Sequence, residues 1–267
     1  MTTILPYEYY QRHMGLYPVA NETVDAAVEH ALHMFPEESC GIVIANVYYP
    51  MNNIHVDPKN DFEIRSIDYL ALVEEHGPLQ AVIHSHPQGQ RCPSKEDMQS
   101  QIDAAVPYGI IVIRNRKPQN VFFWGEGCPL APAEGRPFIH GVYDCYATVR
   151  DELRRSYNVR VADLPRNDKW WDAQTDNNVL ADNYVKLGFT IPVDFLEMKP
   201  GDAVMGKLAD QPRINHCGIY MGNGLILHHL FGTAHRPRFS IIEPIYSLKP
   251  YISQCLRHQE LVQVPAS

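Results

Sequence analysis

The sequence predicts two domains, an α/β domain followed by an α+β domain. In the first half, segments with helical spacing of apolar residues alternate with short apolar segments typical of strands. In the second half the helical segments come first and the strands follow, which is an α+β order. Residues 125–137, between the halves, are rich in Gly and Pro and lack apolar periodicity. We therefore expect one domain at 1–125 and another at 136–267.

The individual elements follow from periodicity and from capping residues. The first half is predicted to contain a helix over 23–35, strands over 40–45 and 47–54, a helix with Ser66 as its N-cap, a strand over 79–86, a helix over 94–105, and strands over 109–114 and 120–124. The second half is predicted to contain a helix opening at Asp144, a helix ending near Gly188, and strands over 202–208, 214–221, 225–230 and 251–257.

Composition narrows the class of protein. A chain of 267 residues with 45% hydrophobic residues can fill a core in each of two domains. Its formal charge of -8 offers no basic surface for nucleic acid, so no nucleic-acid partner is expected. The start resembles no secretion signal and no apolar run could span a membrane, so we expect synthesis in the cytosol with six reduced cysteines.

A metal site is predicted at His84-Ser85-His86-Pro87 and Ser94-Lys95-Glu96-Asp97. Residues two apart on a strand point to the same face, so the two histidines can share a ligand, while Asp97 follows in the first turn of a helix. Two imidazoles and a carboxylate leave a fourth tetrahedral position open, which is typical of catalytic zinc. Ser94 and Asp97 taken alone would be read as a helix cap.

These residues resemble the JAMM motif of the JAB/MPN metallopeptidases, whose upstream element is matched by Pro36-Glu37-Glu38-Ser39-Cys40-Gly41. The resemblance implies an α/β MPN fold and a Zn²⁺ ion bound by His84, His86 and Asp97. It also implies that Glu38 is the general acid/base and that Ser94 helps to hold the oxyanion. Glu37 is the rival for the role of Glu38.

A thiol site is predicted where Asp144 caps a helix that starts at Cys145. The amides and dipole of a helix N-terminus favour a thiolate, although a lone cysteine is more often a core residue. An Asn223-Gly224 turn joins the strands that carry His216 and His228, which brings a base and an orienting group together. Since His228 and His229 alternate in facing, only one of them can serve.

The second set of residues resembles the NlpC-type papain-like cysteine peptidases, through Asp144-Cys145, Pro200-Gly201-Asp202 and the segment from His216 to Asn223. The resemblance implies Cys145 as nucleophile, His216 as base and His228 as third member. The sequence differs from the family's pattern directly after the cysteine, where it has Tyr146-Ala147 in place of Ser-Gly. Trp170 and Trp171 could stack on a sugar or simply pack.

The tandem order of the two domains is similar to that of tail tip proteins of lambda-like siphophages. This implies a bifunctional hydrolase that combines a cysteine endopeptidase acting on peptidoglycan peptides with a zinc-dependent peptidase or isopeptidase. Phage tail tip proteins would be its partners. The protein would be in the host cytoplasm during assembly and at the virion tail tip afterwards, and it would act in the periplasm on entry. The alternative is a structural tail assembly factor whose domains mainly bind partners.

Overall fold

The computed structural model describes residues 10–87, 91–171, 178–208, 211–232 and 238–262. The chain divides into two compact units, residues 1–131 and 132–267. Each unit has its own sheet and its own buried apolar cluster. No helix within the described ranges is both long and apolar enough to cross a bilayer.

The first unit is built around a five-stranded sheet. Its helices are α1 (Tyr10–His13), α2 (Asn21–Met34), α3 (Ser66–His76) and α4 (Lys95–Ala104), and its strands are β1 (Cys40–Ile44), β2 (Val47–Met51), β3 (Ala81–Pro87), β4 (Tyr108–Arg114) and β5 (Lys117–Trp124). The strand order is β2-β1-β3-β4-β5, and only the pairing of β3 with β4 is parallel. A parallel pair needs a crossover connection, and that connection carries α4.

Helix α2 covers one face of this sheet, as its periodicity predicts. Val24, Ala27 and Ala31 are fully buried and pack in one cluster with strand residues such as Ile83 and Phe123. The sheet core is therefore assembled behind β3, the strand that carries the paired histidines.

Helix α3 departs from the prediction at its start. Ser66 is the first helical residue and Arg65 occupies the N-cap position without a side-chain cap. None of the side chains of α3 is buried, so its helical spacing does not mark a core face. The prediction that Ser66 is the N-cap is wrong by one residue.

The second unit is built around a six-stranded antiparallel sheet with the order β10-β9-β8-β7-β11-β6. Its helices are α5 (Cys145–Tyr157) and α6 (Val179–Asn183), and its strands are β6 (Phe189–Val193), β7 (Ala203–Gly206), β8 (His216–Gly222), β9 (Leu225–His228), β10 (Ile241–Pro244) and β11 (Ile252–His258). Helix α5 packs against the centre of this sheet through buried residues such as Val149 and Leu153. The sequence analysis did not predict β6 or β10.

A glycine lets β8 and β9 pair closely. An ideal Cβ on Gly218 would lie 2.8 Å from Cδ1 of Ile226 and 3.0 Å from Cβ of His228, and both distances are shorter than an ordinary van der Waals contact. The two strands join through Asn223 and Gly224, both with positive φ, as a two-residue hairpin requires. The turn and the bare Gly218 together bring His228 beside His216.

Because each unit has its own core, we expect each to fold alone. Fragments 1–131 and 132–267 should each be soluble and should each unfold in one cooperative thermal transition, measured by circular dichroism. A fragment that expresses in soluble form but melts without cooperativity would show that its core is completed by the other unit.

Candidate active sites

Two histidines at the end of β3 face the same point. The strand is buried between β1 and β4, and the Nε2 atoms of His84 and His86 lie 3.1 Å apart. Between them, Ser85 uses its Oγ to accept a hydrogen bond of 2.9 Å from the backbone N–H of Ser39. The predicted alternation is therefore present, and Ser85 ties β3 to the segment that carries Glu38.

Asp97 contacts both imidazoles from the first turn of α4. Its Oδ1 lies 3.3 Å from Nε2 of His84, and its Oδ2 lies 3.5 Å from Nε2 of His86. The same carboxylate accepts a hydrogen bond from the backbone N–H of Ser94, whose Oγ accepts one from the backbone N–H of Asp97. Ser94 is thus the N-cap of α4 in a complete capping box. Its part in holding an oxyanion stays a prediction.

Glu38 completes the first group from the segment before β1. One carboxylate oxygen of Glu38 and one ring nitrogen each of His84 and His86 lie within 4.8 Å of one another. Burial raises the pKa of Glu38 to about 8, against the opposing effect of His86 and with the support of nearby carboxylates. Without a cation beside it, this carboxyl holds a proton at neutral pH.

The donor set fits a metal ion. Burial lowers the pKa of His84 despite the neighbouring Asp97, so its imidazole is neutral, as a metal ligand must be. Burial disfavours ionisation of Asp97, but the two imidazoles outweigh it and hold the pKa of this carboxyl well below its usual range. Nitrogen and carboxylate oxygen donors are those that zinc and related transition metals accept.

The second group begins at the N-terminus of α5. Asp144 caps the helix by accepting a hydrogen bond of 2.9 Å from the backbone N–H of Ala147 on Oδ1. Its Oδ2 accepts from the backbone N–H of Gly141 and from the guanidinium of Arg166. Both residues of this ion pair are buried. The carboxylate that fixes the start of α5 is therefore fully engaged, and the sequence analysis missed Arg166.

Cys145 is the first residue of α5 and carries the thiol that this geometry activates. A hydrogen bond with the Cys217 thiol and a hydrogen bond and charge interaction with His216 hold its pKa well below the usual range, against burial. The pKa of Cys217 is raised in turn, first through that hydrogen bond and then by burial. Cys145 is thus the thiolate of the pair.

The histidines of β8 and β9 form a chain behind Cys145. Nε2 of His216 lies 3.0 Å from Nδ1 of His228, and Nε2 of His228 lies 2.9 Å from Oε1 of Glu243 on β10. Since Nε2 of His216 is engaged with His228, its Nδ1 is left for the thiol. The structure brings Cys145, His216 and His228 together. It adds Glu243, which lies on a strand that was not predicted from the sequence.

A cavity of about 350 Å³ opens at this group. Its walls are largely apolar, with Phe138, Trp170, Trp171 and Phe231 among them, and Arg238 contributes a cation. The lining residues include Phe138, Asp144, Cys145, Trp170, Trp171, His216, His229, Phe231 and Arg238. An apolar cleft with a few polar groups is the usual form of a ligand site.

Two sequence expectations are refined at this cavity. The alternation argument directs His229 away from the site, but β9 ends at His228 and the buried His229 lines the cavity wall. Trp170 is buried in the core cluster, whereas Trp171 packs only partly against it and contacts Phe231 with ring centroids 5.0 Å apart. Trp170 therefore packs in the core of the second unit, and Trp171 and Phe231 form an aromatic part of the cavity wall.

Two known families match the two units. Residues 20–125 match the prokaryotic homologs of the JAB domain, and residues 135–253 match the NlpC/P60 family. The predicted fold class is confirmed. The chain is a two-domain protein with an N-terminal JAB domain and a C-terminal NlpC/P60 domain.

The chain also belongs to the family of the phage tail tip assembly protein K. It is 30% identical over 216 residues to that protein of Escherichia phage N15, covering 79% of this chain and 85% of the relative. It is 30% identical over 158 residues to that protein of Escherichia phage lambda, covering 59% of this chain and 72% of the relative. A solved NlpC/P60 family protein from Bacillus cereus aligns with this chain at 12% identity and a TM-score of 0.30, and the alignment covers 90% of this chain and 67% of the B. cereus chain.

The contrast among the cysteines gives a prediction. Burial raises the pKa of Cys40 to about 12 and that of Cys255 to about 11, whereas that of Cys145 is lowered. We expect iodoacetamide to alkylate Cys145 near pH 6 while Cys40 and Cys255 stay unmodified, as read by peptide mass spectrometry. His216→Ala should slow this alkylation. Equal reactivity of the three thiols in the folded protein would contradict the assignment.

Proposed function

We propose that this protein is a bifunctional tail tip hydrolase, in which the NlpC/P60 domain is a cysteine endopeptidase acting on peptidoglycan peptides. The chain of contacts from Cys145 through His216 to His228, at the mouth of a cleft, is the observation that carries this proposal. A thiolate beside an imidazole that a third group orients is the arrangement of a cysteine nucleophile.

The reaction divides into two acyl transfers. The thiolate of Cys145 attacks the carbonyl carbon of the scissile amide, and the amide nitrogen leaves with the proton that His216 donates. Water then attacks the thioester carbon while His216 accepts its proton, which releases the acid and restores the thiolate. In both steps His228 accepts a hydrogen bond from Nε2–H of His216. This contact keeps Nδ1 of His216 directed at the sulfur of Cys145.

The cleft suits a peptide that carries a carboxylate. Both oxygens of Asp144 are occupied by the protein itself, so this side chain offers no free anion to a substrate ammonium group. Arg238 lines the same cavity and is exposed, and a guanidinium binds carboxylates well. Stem peptides of peptidoglycan combine amide bonds with free carboxylates.

For the JAB domain we propose a zinc-dependent peptidase or isopeptidase. His84, His86 and Asp97 would hold the ion, and Glu38 would transfer protons at the attacked amide. When bound, zinc supplies a Lewis acid and a nucleophile at neutral pH. The position of Glu38 supports a proton-transfer role, because its carboxylate lies within 4.8 Å of the two imidazole nitrogens that would hold the ion.

The relatives of this chain are named for tail tip assembly, which supports phage tail tip proteins as partners in our proposal. It would be made in the host cytoplasm, would join the tail tip, and would act in the periplasm on entry. The JAB domain would then cut either cell-wall peptides or a phage structural protein.

Peptidoglycan digestion tests the main proposal. The wild-type protein should release peptide fragments, identified by mass, and Cys145→Ala should reduce their yield by about a thousandfold or more, because the nucleophile is lost. Cys128→Ala, a cysteine of the other unit, serves as the matched control and should cleave normally. If the wild-type protein with added zinc cleaves nothing, the structural assembly factor becomes the better explanation.

Metal analysis tests the JAB proposal. We expect about one zinc per chain, bound at the cluster of His84, His86 and Asp97. Zinc should be lost in His84→Ala and retained in Glu38→Gln, since Glu38 is proposed to move protons and not to bind the ion. His33→Ala removes an exposed histidine of α2 and should retain zinc. Stoichiometric zinc in His84→Ala would contradict the ligand assignment. Loss of zinc in Glu38→Gln would make Glu38 a ligand.

A further inference from the structure

Glu243 stands behind His228 in a position that the adjoining strands fix. On the paired strands β9 and β10, His228 lies opposite Ile241, and Glu243 is two residues further along β10, so its side chain is on the same face. Its carboxylate reaches Nε2 of His228 at 2.9 Å. The side chain of His228 is fully buried, while that of Glu243 is 32% exposed. The contact is therefore set by the sheet and not by a flexible loop.

From this geometry we infer that Glu243 is a positioning residue of the cysteine site, which acts through His228 to determine which ring nitrogens of both histidines carry protons. This inference rests on the proposed cysteine peptidase chemistry. It extends the three-residue arrangement implied by the sequence to four residues, Cys145, His216, His228 and Glu243.

Glu243 determines which ring nitrogen of His228 carries the proton. An ionised carboxylate only accepts hydrogen bonds, so the ring must donate Nε2–H to Glu243. Burial, followed by the neighbouring His216 and His229, lowers the pKa of His228 to about 3. His228 is therefore neutral at physiological pH and has one ring proton. With that proton on Nε2, its Nδ1 has a lone pair and can only accept.

The same reasoning then applies to His216. Its Nε2 lies 3.0 Å from the accepting Nδ1 of His228, so it must be the donor. A neutral His216 that carries its proton on Nε2 has a free lone pair on Nδ1, which is what taking the proton of Cys145 requires. Once protonated, His216 donates on both sides, to the thiolate and to His228. Glu243 thus favours the thiolate–imidazolium pair from two side chains away.

Loss of Glu243 would remove the constraint on which ring nitrogens of His228 and His216 carry protons. His228 could then move its proton to Nδ1, which would force Nε2 of His216 to accept and would leave the His216 proton on Nδ1, facing the sulfur. A neutral imidazole in that tautomer cannot take the proton of the thiol. A wrong tautomer held in an intact site is known to slow a triad severely.

The first experiment measures alkylation of Cys145 by iodoacetamide between pH 5 and 9 in the full chain. We expect Glu243→Leu to react about tenfold or more slowly at pH 6, with the curve shifted to higher pH, since partners that orient a histidine typically contribute about 10- to 100-fold. Glu243→Gln should lose less, because its amide oxygen still accepts from His228. Glu134→Gln is the matched control, since Glu134 is exposed and accepts from the backbone N–H of Ile242 without touching a histidine.

The second experiment needs no change at Glu243. Nitrogen-15 spectra of the histidine rings in the wild-type protein, with the His228 signals assigned by their absence from His228→Asn, should show the proton of His228 on Nε2. The measurement reads the tautomer directly, so it decides the question even if Glu243→Leu does not fold.

The outcomes separate the two proposals. A proton on Nδ1 of His228, or wild-type alkylation curves for both Glu243 variants, would overturn the role of Glu243. Slow alkylation in Glu243→Leu with normal behaviour of Glu134→Gln supports it. If the wild-type protein shows the reactive thiol and the predicted tautomer but leaves peptidoglycan intact, the proposed substrate is wrong and the four-residue arrangement stands.

Discussion

Both candidate sites depend on a helix N-terminus that a side-chain carboxylate holds beside the end of a strand. In the first site Ser94 is the N-cap of α4, and Asp97 completes the capping box with the same carboxylate that contacts two histidines of β3. In the second, Asp144 caps α5 and fixes the residue that follows it, Cys145. The first backbone amides of a helix have no partner within the helix and need an acceptor. The carboxylate that accepts their hydrogen bonds also holds the start of the helix, and with it the reactive group, in one position.

The caps themselves depend on buried electrostatic partners. Asp144 is ionised inside the protein because Arg166 and His140 outweigh the unfavourable effect of burial on its pKa. Removal of one member of such a buried pair leaves an uncompensated charge and is costly. The position of the thiol is therefore tied to a cation 21 residues further along the chain, on a segment without regular secondary structure.

The sequence predicted those features that arise from local periodicity. His84 and His86 share a face because a strand alternates, and Asn223-Gly224 marks a hairpin that brings His228 to His216. Glu243 and Arg166 were missed for a physical reason. Each reaches its site from a distant segment, and a glutamate or arginine in an irregular or short segment resembles a solvated surface residue. His229 was misplaced because alternation holds only while the strand continues, and β9 ends one residue earlier.

Gly218 shows that the position of His228 also depends on a residue without a side chain. A methyl group at this position would lie 2.8 Å from Cδ1 of Ile226 and 3.0 Å from Cβ of His228, so alanine there would force the side chains of Ile226 and His228 to shift. Every side chain that takes part in the chemistry would still be present in such a relative. An inventory of reactive residues would not record such a change, so the residue at this position is a further guide to how closely β8 and β9 pair in a homologue.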